Sequence, residues 1–137
     1  MTNYPLGSVI AQRSVTYERK GRVFEVQVNV GAPMKRVAVD AGTEDWYCPF
    51  KISGIGIEGV HVAFGIDSVQ ALHLALVLIG QTLRNSLPGR AGLLSWYGDP
   101  NFGFPPPVSI PAPPKRGVSS RTAKKSNKGK QGKKGKK

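Results

Sequence analysis

Cys48, His61 and His73 are the residues of this 137-residue chain best suited to hold a soft metal such as zinc. None of them forms a ligand-spaced pair, and a zinc site ordinarily takes three or four protein ligands, so no metal centre is expected. Acid–base chemistry needs two carboxylates in different environments, and nucleophilic chemistry needs a base beside the nucleophile. Glu44 and Asp45 are adjacent and lead into a predicted strand, which sends their side chains to opposite faces. Asp45 and Asp99 each stand next to aromatic residues in turn-like segments and could share a rim. With His61, they are the residues an enzyme would use. The serines fall in predicted turns or near the C-terminus, with no mark of activation. No catalytic residue and no cofactor is assigned, and the protein is expected not to be an enzyme.

Gly54-Ile55-Gly56-Ile57-Glu58-Gly59 fits the G-x-G-x-x-G spacing of a dinucleotide loop. That loop must run from a strand straight into a helix whose amides face the pyrophosphate. Here a strand pattern follows, so a glycine-rich hairpin is expected instead. Cys48 shares an alternating face with Trp46 and Phe50 and reads as a buried, inert thiol. His61 alternates outward from Val60 and Val62, and His73 lies on a polar helix stripe, so both read as surface histidines.

Trp46, Tyr47, Trp96, Tyr97, Phe102 and Phe104 lie near predicted strand ends. Most of such a set packs into a core. Tyr47, Trp96, Tyr97 and Phe102 are the candidates for an exposed surface that meets a protein or stacks a base. Pro111-Ala112-Pro113-Pro114-Lys115-Arg116 fits a P-x-x-P-x-R ligand pattern, although a stiff spacer accounts for it as well.

Charge is the strongest signal. The chain carries 20 Lys and Arg against 8 Asp and Glu, a net charge of +12. Lys115, Arg116, Arg121, Lys124, Lys125, Lys128, Lys130, Lys133, Lys134, Lys136 and Lys137 supply 11 of those cations with no acid among them. The remaining 9 cations and all 8 acids precede residue 115, so the body is near neutral at +1. The tail has no aromatic residue and no helical period, so it has no means of reading bases. It can neutralise phosphates, with a salt slope of about −0.9 per contact on duplex DNA, or roughly −10 if every cation engaged. DNA, RNA and an anionic membrane are alike to a lysine.

The elements that must carry these residues are legible from periodicity. Residues 14–19 and 22–30 read as strands joined at Lys20-Gly21, with Phe24, Val26, Val28 and Val30 alternating against polar residues. Residues 34–44 read as a loop with a short extended piece at 36–39. Trp46, Cys48, Phe50 and Ile52 alternate in the next strand, which Pro49 marks as an edge or a bulge. Val60, Val62, Phe64 and Ile66 alternate in the one after. A helix is expected over residues 67–86, capped by Asp67, with Gln70 reaching back in a capping box. Its apolar face is Val69, Leu72, Leu76, Ile79 and Leu83, widened by Ala71, Leu74, Ala75 and Leu78. So broad an apolar surface needs cover on a second side, from a loop, the N-terminal arm of residues 1–7 or another subunit. Leu87-Pro88-Gly89 should stop the helix. Residues 93–97 read as a last strand, followed by a turn at Asp99-Pro100-Asn101.

The expected fold is therefore α+β: an antiparallel sheet of four to five strands with one long helix packed on a face, in the order β-β-β-β-α-β, plus a disordered basic tail. The domains are residues 1–104, a Pro-rich spacer at 105–114 and the Lys-rich tail at 115–137. One cysteine excludes an internal disulfide. The first residues lack a basic region followed by an apolar stretch, and the helix is too short and interrupted to span a bilayer, so neither a signal peptide nor a transmembrane segment is expected. A cytoplasmic location is the expectation.

Asp45-Trp46-Tyr47-Cys48-Pro49-Phe50, Gly54, Gly65-Ile66-Asp67-Ser68-Val69-Gln70-Ala71-Leu72, Leu93-Leu94-Ser95-Trp96 and Phe102-Gly103-Phe104-Pro105 together resemble a family of short bacterial proteins classed as a domain of unknown function. The resemblance, a D-W-x-C-P-F followed by G-x-D-S-x-Q-A-L, covers most of the body and none of the tail. It implies a bacterial or phage-borne cytoplasmic protein and carries over no activity. The sequence supports a non-enzymatic binding protein whose tail attracts DNA or RNA without regard to sequence. The alternative is an interaction module, docking a protein or forming a homodimer, with an incidental tail. An undetected enzyme is the third reading.

Overall fold

The computed structural model describes residues 4–38 and 43–107. These residues fall within one compact unit, Met1–Pro107. Residues 108–114 of the spacer, the P-x-x-P-x-R pattern and the whole tail lie outside the described residues, as do residues 1–3 of the arm.

Strands β1 (Val9–Arg19) and β2 (Arg22–Gly31) form a hairpin in which Arg19 faces Arg22 across the two-residue turn Lys20-Gly21. Both turn residues have positive φ, 50° and 74°, which is the primed turn whose twist suits a hairpin. β3 (Met34–Ala38) corresponds to the short extended piece expected at 36–39, but it begins two residues earlier, directly after Pro33, and is a paired strand. The reason is its partner β4 (Thr43–Ser53). β2 registers with residues 50–53 of β4, and β3 with residues 43–47 of the same strand. The two strands thus lie end to end along one side of β4.

β5 (His61–Gly65) pairs with the other side of β4. This makes β4 a central strand, not an edge. Pro49 is tolerated because it falls at the junction between β2 and β3, where neither strand has a register partner for it. All pairings are antiparallel, in the order β3-β4-β2-β1-β6 with β5 on β4. The last strand, β6 (Leu94–Ser95), is only two residues long and pairs with Thr16 and Tyr17 of β1.

Helix α1 (Ser68–Asn85) follows β5. The Asp67 carboxylate accepts from the Gln70 amide at 2.8 Å. Gln70 does not complete the expected box on the cap itself, because its Oε1 accepts from the amide of Ile66, one residue earlier, at 2.8 Å. The helix lies on β4 and β5 with Ala71, Ala75, Ile79 and Leu83 fully buried. Val69, expected on this face, is 73% exposed and Leu74 is 40% exposed. Small residues decide the rotation. Ala71 and Ala75 let the helix sit close to Gly65, where an added Cβ would lie 2.5 Å from the Ala71 amide nitrogen.

The second side of α1 is covered by the turn after β6. Arg84 donates to the Asn101 side chain at 2.7 Å, and Phe104 packs at Gly80. Pro88 and Gly89 do not end the chain's helical course. Ser86 breaks it, and one further turn, α2 (Leu87–Arg90), is capped by the Ser86 hydroxyl.

The core joins Val15, Val26, Val28, Phe50 and Ile52 of the sheet to that inner helix row. The opposite face of the β1–β2 hairpin is open and polar. There Gln12 donates to Asn29 at 2.9 Å and Ser14 donates to Gln27 at 3.0 Å. The architecture is an antiparallel α+β fold, as the periodicity predicts, with a sixth strand. Among the described residues, no helix is long and apolar enough to cross a membrane.

Candidate functional site

Alternation along β1 turns Arg13, Val15 and Tyr17 to the helix-covered face. Arg13 is the member of this row without an apolar side chain, and the C-terminal turns close around it. Its guanidinium lies 4.1 Å from the Trp96 ring centroid and 4.9 Å from that of Phe104, and it donates to the Phe102 carbonyl at 3.2 Å. A cation over two ring faces is held by their quadrupoles. Arg13 also borders an apolar hollow of about 240 Å³ beside Val28, Leu76 and Phe104.

Two primed turns shape this ledge. In the first, Tyr97 and Gly98 have φ of 46° and 76°, and the Asp99 amide donates to the Trp96 carbonyl. In the second, Phe102 and Gly103 have φ of 57° and 76°, and the Phe104 amide donates to the Asn101 carbonyl. The Asp99 carboxylate accepts from the amides of Asn101 and Gly103 at 2.8 and 3.1 Å and ties the two turns together. Tyr97 consequently stands 93% exposed, edge-on to Trp96 at 5.0 Å.

Of the residues expected to present an aromatic surface, Tyr97 is open and Trp96 half-buried under Arg13. Phe102 is only 5% exposed and does not belong to the surface, because the second turn folds its ring into the core. Tyr47 is elsewhere. Its ring meets that of Tyr4 at a tilt of 52° with centroids 4.6 Å apart, and Tyr4 also meets Phe64 edge-on at 5.9 Å. The arm thus covers an aromatic patch on the β4–β5 side rather than the helix. The nucleic-acid candidates of the tail, from Lys115 to Lys137, lie outside the described residues.

The proposed rim of Asp45 and Asp99 does not form. Asp45 lies in β4 and Asp99 follows β6, with β2 and β1 between those strands. Each carboxylate already has its partners. Arg36 donates to both Asp45 oxygens at 2.9 and 2.7 Å, and this pairing holds the Asp45 carboxyl below the usual carboxylate range. His73 is exposed on α1, as expected.

His61 is not a surface histidine. Its ring stacks on Phe50 at 5.6 Å, and its Nε2 is buried without a hydrogen-bond partner among the described residues. The inward set of β5 is His61, Ala63 and Gly65, so Phe64 and Ile66 turn out and are 43% and 80% exposed. Among the described residues, no three of the His, Cys, Asp and Glu side chains are grouped to hold a metal ion. The G-x-G-x-x-G segment links β4 to its antiparallel neighbour β5, which makes it a hairpin loop.

Cys48 is fully buried, and its thiol donates to the Gly31 carbonyl at 3.4 Å. Burial pushes the thiol up to about 11. Two outcomes follow. An aromatic disulfide reagent at pH 8 should find no reactive thiol until the protein is unfolded, because the thiolate is the nucleophile. The raised value also means that the fold is favoured while the thiol stays protonated. That contribution is complete below the ordinary thiol range near 9 and is lost as pH climbs through about 11. Urea midpoints for the parent and Cys48→Ala should therefore differ in their alkaline pH dependence.

The ledge was missed in the sequence because Arg13 reads as one more polar residue of a strand. The signal was its place in the inward row with Val15 and Tyr17. Taken together, these features define an antiparallel α+β domain with one helix-covered face, one open polar face and an arginine–aromatic ledge in place of a carboxylate cleft. Residues 11–106 match the family model described as Domain of unknown function (DUF6968), and the chain belongs to that family. No curated protein and no solved structure matches the chain.

Proposed function

We propose that this is a non-enzymatic binding protein whose Lys-rich tail gives sequence-independent attraction to nucleic acid. The observation that carries the reading is the segregation of charge: 11 of 20 cations, and none of the 8 acids, lie in residues 115–137. A run of this kind binds by releasing counterions from phosphates, so its affinity falls steeply with salt. A bacterial cytoplasmic setting belongs to the same reading. In support of a non-enzymatic role, Asp45 and Asp99 are each engaged by structural partners and lie on different strands' flanks.

Among the described residues every core residue lies at or before Phe104, so a chain ending at residue 114 keeps all of them. Removing residues 115–137 is expected to weaken binding to a duplex DNA of random sequence by about a hundredfold or more at low salt. Fluorescence anisotropy measures this directly, and equal affinity of the two chains would overturn the proposal.

The exposure of Tyr97 favours a second reading, in which the body docks a protein partner through the ledge. An exposed aromatic held on a rigid turn suits a contact hot spot. Tyr97→Asn tests it without disturbing the fold, since Asn tolerates the left-handed backbone. Pull-down of a partner that survives this substitution unchanged would dispose of the ledge as its docking site.

A further inference from the structure

The tip of the β1–β2 hairpin gathers three of the body's nine cations, Arg19, Lys20 and Arg22, within four positions. All three are exposed, and none has a hydrogen-bond or ion-pair partner for its side chain among the described residues. Arg19 and Arg22 are direct register partners. Like charges facing each other across a strand pair destabilise it. Lys20 holds φ of +50°, a conformation uncommon for any residue but Gly, Asn or Asp. Two unfavourable choices thus coincide at one turn, and strained positions of this kind cluster at functional sites.

The step behind the tip is aromatic. Tyr17 and Phe24 are the next register pair on the same face, with ring centroids 6.0 Å apart, and Phe24 is 46% exposed. Arg19, Lys20, Arg22 and Phe24 together line a hollow of about 230 Å³. A second hollow continues it past Tyr17, Phe24, Gly54 and Glu25. Glu18, which pairs with Val23 in the ladder, falls on the opposite face by alternation, and Glu25, which pairs with Thr16, borders the second hollow and not the first. Cations that gather phosphates beside an exposed ring suit a strand whose bases are unstacked.

We propose that the hairpin tip binds single-stranded nucleic acid, with Arg19, Lys20 and Arg22 on the phosphates and Phe24 beneath a base. This goes beyond the role given to the tail and does not depend on it.

The test uses the full chain, a labelled single-stranded oligonucleotide and anisotropy across a salt series. Arg19→Ala with Arg22→Ala is expected to weaken binding about tenfold and to flatten the salt slope by about 1.4, at roughly 0.7 per lost contact on a single strand. Phe24→Leu keeps an apolar side chain and removes the ring. It should weaken binding about fivefold with the slope unchanged, as loss of stacking does. Lys20→Asn relieves the turn, so it should weaken binding without lowering the thermal midpoint. That separates contact from folding. Unchanged affinity and slope in the double arginine variant would overturn the proposal. Loss of binding to phosphatidylglycerol vesicles equal to that for the oligonucleotide, with no effect of Phe24→Leu, would assign the tip to a membrane surface and overturn it also.

Discussion

Phe50→Ala is expected to lower stability by about 4 kcal/mol, the middle of the range for a buried phenylalanine. Phe50 is 1% exposed in the central strand β4, and it registers with Val30 on one side and His61 on the other. Its ring is the floor on which His61 stacks at 5.6 Å. Removing it leaves a hollow that β4 cannot close, because the strand is fixed by neighbours on both sides. It also takes away the apolar surface that holds the unpartnered His61 Nε2. Urea unfolding followed by tryptophan fluorescence measures the loss. Phe24→Ala is the control, since that ring is 46% exposed and its loss should cost well under half as much. A Phe50→Ala loss below about 1 kcal/mol would show that the helix does not rest on β4 as described.

Gly65→Ala is expected to cost about 2 kcal/mol. The substitution restricts the unfolded chain and would by itself stabilise by about 0.4–1 kcal/mol, because Gly65 does not have a left-handed backbone. Against this stands a Cβ placed 2.5 Å from the Ala71 amide nitrogen and 2.9 Å from the Gln70 carbonyl carbon. Both are backbone atoms in the first turn of α1, so no side chain can move aside. Overpacking of this kind costs about 1–3 kcal/mol, occasionally more, and it wins. The damage should be local first: amide exchange in residues 70–75 should speed up before the β1–β2 hairpin loosens. A variant as stable as the parent, with a protected first turn, would contradict the close approach of α1 to β5.

Local chemistry made some of this legible in advance. Asp67 capping, the alternation of Val26, Val28 and Val30, and the Lys20-Gly21 turn are each decided within a few residues, and each was read correctly. β5 was read on the wrong face because Val60, Val62, Phe64 and Ile66 form the better apolar row. The winning row, His61, Ala63 and Gly65, is chosen by what it meets: a helix that can approach only where side chains are small. The same contact turned α1 so that Ala71 and Ala75 face inward and Val69 outward. β3 was legible only as a short extended piece at 36–39, because its pattern is weak and its strand character comes from β4. Pro49 misled in the same way, since its tolerance depends on where two other strands end. For the candidate sites, charge could be read from composition, whereas Arg13 between Trp96 and Phe104 required the turns at Tyr97 and Phe102. Those residues lie at positions where Asn or Gly would have announced a turn.

The proposed attraction for nucleic acid is assigned chiefly to residues 115–137, with a smaller share at the hairpin tip. A salt titration of binding to labelled duplex DNA, full-length chain against residues 1–114, tests it most directly. The full-length chain is expected to give a steep slope, approaching about −10 if every tail cation engages, and the shorter chain a slope no steeper than about −3 from the cations of the hairpin tip. Equal slopes for the two chains would contradict the account.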